Sequence, residues 1–252
     1  MAQDSRHEDS AFVWPGVNKL APGAVRRWMA AAWRDFAAAP APSLFYGVVL
    51  ALMGFFLTQY LGGAVGIALT TGFLLVGPFL AIGLYDISRR REAGEAVRLG
   101  PTLVAWKGNF PAIGFYALAL TLLLAVWIRV SVVVVALFFP DGRIDWAAPE
   151  AWTFAAAYAA AGAGLALFVF AAAALSLPML LDRRDMDAIS AAIVSFNALR
   201  ANPAQMLAWA ATIVVLTAAG FATMFVGLAI ALPLVGHMAW HAYRETIAPY
   251  GR

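Results

Sequence analysis

Long runs without an ionic residue, separated by short basic stretches, dominate the chain. No Lys, Arg, Asp or Glu occurs between Asp35 and Asp86 (50 residues), Lys107 and Arg129 (21), Glu150 and Asp182 (31), or Arg200 and Arg244 (43). A helix crosses the ~30 Å hydrocarbon core of a bilayer with about 20 residues. The two longest runs would extend roughly 60–75 Å as single helices, at about 1.5 Å per residue. Each therefore reads as two helices folded back, bending at Gln59-Tyr60-Leu61-Gly62-Gly63 and around Gly220. The pattern predicts six spans, approximately 43–60, 64–85, 111–133, 153–180, 204–220 and 222–241. One long tilted helix over 204–236 would reduce them to five.

Between the spans lie segments of intermediate polarity. Residues 24–38 put Val25, Trp28, Ala32 and Phe36 on one helical face. Residues 93–107 do the same with Ala93, Ala96, Val97, Leu103 and Val104, and residues 185–200 with Met186, Ile189, Ile193 and Phe196. Apolar spacings of three and four, flanked by Arg, Lys and Trp, suit helices lying in the headgroup layer. Each segment ends at a proline (Pro40 and Pro42, Pro111, Pro203) that opens the next span, where a missing N–H costs least. The expected fold is an all-α membrane protein: six transmembrane helices in three hairpins, each preceded by an amphipathic interfacial helix. It forms a single membrane domain over residues 23–246, between a polar tail (1–22) and a short tail (247–252). The second and sixth spans close alike, with Pro78, Tyr85 and Arg89 echoed by Pro233, Trp240 and Arg244; in the fourth, Pro178 precedes Arg183. This suggests three repeated units, matched in pattern and not in identity.

Composition supports the membrane reading. Of the 252 residues 63% are apolar and only 12% charged, and the mean hydropathy is +0.79. Soluble domains are about half apolar and roughly a quarter charged. The shortfall leaves too little polar material to cover a water-facing surface, which excludes a soluble globular protein, a disordered chain and a nucleic-acid-binding domain. With six spans, 15 of the 17 basic residues fall on one side; only Arg143 lies in an opposite loop, and Arg129 lies within a span. Short Lys- and Arg-rich loops stay cytoplasmic, which places both termini in the cytoplasm and the chain in the inner membrane of a bacterium. The absence of cysteine removes disulfides, thiolate metal sites and cysteine nucleophiles. No secretory signal precedes the first apolar run near Ser43.

Three stretches, GPFLAIGLYDISRRREAGE (77–95), NPAQMLAW (202–209) and LPLVGHMAWHAYR (232–244), resemble a proteobacterial family of integral membrane proteins of unknown function. The resemblance extends over roughly residues 25–248, and the GH-x-x-WH-x-YR ending is its most specific part. Some members carry the label "cytochrome c oxidase subunit I-like", and the chemistry rejects it for this chain. A haem–copper catalytic subunit needs about six intramembrane histidines. This chain has three, one of them, His7, in the tail. An accessory place beside a respiratory complex remains open. The resemblance implies a location and a topology, but no reaction.

Few residues carry candidate chemistry. His237, His241 and Glu245 stand at i, i+4, i+8, on one helical face near the cytoplasmic end. They suit a divalent metal or proton transfer, but equally an interface anchor, and a structural metal site would lack a fourth ligand. Arg129 is the one charge within a span, which marks it for function by default. It stands 18 residues after Pro111, about 27 Å along the helix, where it can snorkel to the outer headgroups. Arg89, Arg90 and Arg91 form a cluster fit for anionic lipid, although positive-inside topology also explains it. Gly62 and Gly66, and the Ala155, Ala159, Ala163, Gly162, Gly164 group, permit close helix packing. No phosphate-binding loop, HExxH or GxSxG occurs, so no enzyme, cofactor or metal is expected. The expected partners are the lipid bilayer and another membrane protein, with no nucleic acid. The leading function is an accessory or scaffold component. The alternative is a small transporter or a lipid- or quinone-handling protein, with an apolar cleft lined by Trp127, Phe168, Phe170 and Phe225.

Overall fold

The computed structural model describes residues 15–60, 81–141 and 143–249. Within them the regular elements are ten α-helices and a 3-10 turn, Ala105–Asn109. The helices are α1 (Ala24–Ala38), α2 (Pro40–Tyr60), α3 (Ile82–Glu92), α4 (Leu99–Leu103), α5 (Phe110–Phe138), α6 (Ala151–Ala173), α7 (Ser176–Asp182), α8 (Ala188–Ala201), α9 (Pro203–Ala222) and α10 (Leu228–Thr246). The described residues form no strand, only an isolated antiparallel bridge between Val17 and Ile247.

Local chemistry sets most boundaries. Gly23 takes a left-handed φ of 77° immediately before α1, a conformation that costs glycine little. At Ala39–Pro40 the chain bends by 106° from α1 into α2. Proline favours an extended residue before it, so a helix stops there and a new one begins. The same device opens α9 at Pro203, whereas Pro111 is the second residue of α5, where its missing N–H costs little. Asp187 caps α8, its carboxylate accepting from the N–H groups of Ile189 and Ser190 at 2.9 Å. Such a cap satisfies donors that the helix itself leaves open.

Of the three segments expected to be interfacial helices, the first and third are helical, as α1 and α8. The middle one, over 93–107, is not a single helix. Gly94 adopts a φ of 71°, and the chain continues as an irregular stretch, the short α4 and the 3-10 turn. Gly94, Gly100, Pro101 and Gly108 explain the break, because glycine and proline are the weakest helix formers. In α8 the small residues Ala188, Ser190, Ala191, Ser195 and Ala198 are buried, while Ile189 and Ile193 face outward.

Three stretches are long and apolar enough to cross a membrane: Ala105–Phe138, Ala151–Asp182 and Pro203–Ala222. A fourth arises if the bent pair α1 and α2 counts as one span. Most of the second expected span, 64–85, lies outside the described residues, as do Gly62, Gly66 and Pro78. The expected span at 153–180 falls within Ala151–Asp182, whose helical pattern is interrupted only at Ala174 and Leu175. There the Ala172 carbonyl accepts from the hydroxyls of Tyr116 and Ser176. The apolar C-terminal run is two helices, not one. Between α9 and α10, Met224 and Phe225 take φ values of 53° and 70°, and the Thr223 hydroxyl bridges the Gly220 carbonyl and the Gly227 N–H, each at 2.8 Å. Its second half, α10, is absent from the set of apolar spans: its last three turns carry Gly236, His237, His241, Arg244 and Glu245.

α10 occupies the centre, packed against α1, α2, α3 and α9. Two glycines permit this closeness. A Cβ on Gly47 of α2 would strike the Ala229 carbonyl, and one on Gly236 would meet Leu84 of α3 at 2.7 Å. A methyl group on Gly164 of α6, by contrast, would meet nothing within 4 Å. Gly47→Ala is expected to destabilise the protein by about 1–3 kcal/mol through overpacking against backbone, lowering its unfolding temperature in detergent. Gly164→Ala, measured alongside, should leave that temperature unchanged or slightly raised.

Candidate functional site

The C-terminal half of α10 presents two adjacent rows of polar side chains, the first meeting α1, α2 and α3 and the second α3 and α7. His237, His241 and Glu245 form the first row, as their spacing requires. His237 is fully buried. Its Nε2 lies 3.0 Å from the Ser43 hydroxyl of α2, and its Nδ1 lies 2.8 Å from the Ser88 hydroxyl of α3. A neutral imidazole offers one donor and one acceptor, so the two serines can complement it completely. One turn on, His241 Nε2 meets Asp35 Oδ2 of α1 at 2.8 Å. A further turn on, Glu245 Oε2 accepts from Trp28 Nε1 at 2.8 Å, and its other oxygen accepts from Arg27.

The second row is Trp240, Tyr243 and Arg244. Trp240 Nε1 donates to Glu92 at 2.7 Å, and Arg244 Nε donates to the other oxygen of that carboxylate at 2.9 Å. The Tyr243 hydroxyl donates to Asp182 at 2.8 Å and accepts from Arg183 Nε at 3.0 Å. Arg183 also reaches the Ala248 carbonyl at 2.7 Å. An open recess of about 470 Å³ beside this row is lined by Asp182, Arg183, Arg184, Asp185, Arg244 and Pro249.

Asp35 links the first row to the arginine cluster. Its Oδ1 accepts from Arg91 Nε at 3.0 Å while Oδ2 meets His241. Burial works to raise the pKa of this carboxyl. Hydrogen bonds from His241 and Ser88 outweigh it and hold the group below the usual carboxylate value. The other two members of the cluster are also occupied. Arg89 and Arg90 donate to Asp86, whose side chain is fully buried, and Arg90 also reaches Glu95 at 3.2 Å. The triplet expected to meet anionic lipid is thus turned toward three carboxylates.

The first row shares a face but does not converge on a point. His237 and His241 have separate partners, and Glu245 is a further turn away. Among the described residues no three His, Asp or Glu side chains are grouped to hold a metal ion. Asp35, Ser43, Ser88, Glu92 and Asp182 complete the network, and no sequence motif marks them as its members. Asp35, Asp86 and Asp182 stand out in the sequence only as boundaries of apolar runs. Arg129 is exposed on α5, without an ion pair or hydrogen bond among the described residues. The opposite side of that helix is closed by the buried Ser131, whose hydroxyl lies 3.1 Å from Tyr158. The four aromatics expected to line one cleft pack in separate places. Trp127 meets Tyr158, Phe168 meets Phe196, Phe170 meets Trp209, and Phe225 meets Phe55 and Phe221.

Removing the Asp35 carboxylate leaves Arg91 and His241 facing each other without a counter-charge. Asp35→Ala is expected to cost about 3 kcal/mol, as when one partner of a buried pair is lost. Because the folded carboxyl is depressed, its contribution is present above the ordinary carboxylate range and disappears as pH falls through the folded value. Thermal unfolding in detergent across acidic pH should therefore show a steeper acid limb for the parent than for Asp35→Ala. Parallel limbs would remove Asp35 from this role.

No curated protein and no solved structure matches the chain. A family described as "Predicted integral membrane protein (DUF2189)" matches residues 66–182. The match takes in the GPFLAIGLYDISRRREAGE stretch and α3 to α7, and stops short of NPAQMLAW and the α10 ending. Over residues 66–182 the chain is therefore similar to a family of predicted integral membrane proteins whose function is unknown.

Proposed function

We propose that the chain is a non-enzymatic accessory or scaffold component of the bacterial cytoplasmic membrane. In this reading residues 23–246 form one membrane domain that crosses six times, with both tails in the cytoplasm. One observation carries the proposal: the chemically capable side chains of α10 are engaged with neighbouring helices. His237 is enclosed by two serines, His241 by Asp35, and Glu245 by Trp28 and Arg27. A proton-coupled carrier or a metal enzyme needs such groups facing a substrate. Here they tie α1, α2 and α3 to α10, which is the task of a structural core. The scattered aromatics argue in the same direction, against a lipid or quinone cleft built from those four residues. The wide apolar exposure of α5, at Phe115, Leu118, Leu122, Val126 and Leu137, leaves a broad surface for lipid or for a neighbouring membrane protein such as a respiratory complex.

Affinity purification of the full chain in mild detergent, with mass spectrometry of the eluate, should recover a stoichiometric membrane-protein partner. Recovery of the chain alone, with transport activity in proteoliposomes, would overturn the scaffold reading. The topology has its own test. Reporter fusions at Arg252 and Asp145 should report cytoplasm and periplasm respectively, and a periplasmic Arg252 fusion would refute six spans.

A further inference from the structure

The basic side of the protein holds two kinds of arginine. Arg27, Arg89, Arg90, Arg91 and Arg244 each meet a carboxylate. Arg26 and Arg34 of α1, like Arg98, Arg184 and Arg200 elsewhere, are exposed and have no ion pair or hydrogen bond among the described residues; those two alone share one helix side with an exposed tryptophan. They stand eight residues apart, about 12 Å along the helix, on the side away from the buried Ala24, Trp28, Ala32 and Asp35. Ala30 and Trp33 lie between them on the same outer side. Trp33 is 55% exposed and stacks on Phe36, with ring centroids 5.8 Å apart. The 106° bend into α2 adds orientation. With α2 running across the bilayer, α1 lies close to the membrane plane and its long side parallels the headgroups.

We propose that the outer side of α1, through Arg26, Trp33 and Arg34, binds the headgroups of anionic phospholipids. Arg89, Arg90 and Arg91 do not; each is half-buried and committed to a carboxylate of the protein. Unneutralised guanidinium groups complement lipid phosphates. An exposed indole beside them suits the boundary between headgroups and acyl chains, where tryptophan concentrates. A soluble phosphate would meet the charge but give the ring nothing. The proposal depends on the placement of α1 and not on the scaffold reading.

The test uses the full chain in neutral detergent, titrated with phosphatidylglycerol or phosphatidylcholine and read by native mass spectrometry, with thermal stability measured in parallel. The parent should retain phosphatidylglycerol in preference to phosphatidylcholine. Each arginine contributes roughly fivefold near an anionic surface, so R26Q/R34Q should weaken phosphatidylglycerol retention on the order of tenfold or more. R26K/R34K, which keeps the charge, should retain most of it. R89Q/R90Q/R91Q should lose thermal stability while its folded fraction still binds the lipid. Undiminished selectivity in R26Q/R34Q would overturn the proposal. So would loss of phosphatidylglycerol from a fully stable R89Q/R90Q/R91Q variant, or equal retention of both lipids by the parent.

Discussion

A carboxylate removed from water must be met by donors or by positive charge, since its desolvation otherwise outweighs what packing returns. Asp35 is the residue where this requirement organises the protein. It sits on α1, which turns by 106° from α2, and its donors come from α10 and α3. Satisfying one carboxyl group therefore fixes the position of three helices at once. Glu245, Glu92 and Asp182 extend the arrangement around α10, each held by donors from more than one residue. In lipid, where apolar side chains gain little by leaving one apolar environment for another, such polar ties and close backbone approach supply much of the specificity.

The two means of holding helices together alternate along α10. Its first half relies on closeness: Gly47 of α2 lies against the Ala229 carbonyl, and Gly220 of α9 lies against Leu228. Its second half relies on polar pairing, from His237 to Glu245. The transition falls near Gly236, where Leu84 fills the space beside the helix. The division explains why α10 reads as weakly apolar although it lies at the centre. It is shielded by other helices, and its polar groups are satisfied by them.

What the sequence revealed depended on whether a signal was local. Proline at the opening of α2, α5 and α9 and the apolar face of α1 could be read directly, because each follows from a few adjacent residues. The shared face of His237, His241 and Glu245 follows from helical periodicity alone. Their partners could not be read. Ser43 and Ser88 carry no pattern that distinguishes them from other serines, and Asp35 pairs with a residue 206 positions away. The interfacial helix expected over 93–107 failed for a local reason, since its apolar spacing was visible but Gly94, Gly100 and Pro101 prevailed. For Arg89, Arg90 and Arg91, charge counting registered the cations correctly and missed the carboxylates that engage them.

The long sequence separation of these ties imposes an order on biosynthesis. Trp28 joins Glu245 across 217 positions, and Asp35 joins His241 across 206. At about 5–20 residues per second, a ribosome needs roughly 10–40 s to cover that distance. During that interval Arg91 of α3 can already meet Asp35, 56 positions on, whereas Trp28 has no carboxylate to receive its N–H until Glu245 is made. α1 is thus the first of the described helices to be made and among the last to complete its contacts, since its packing against α10 waits until translation has delivered that helix.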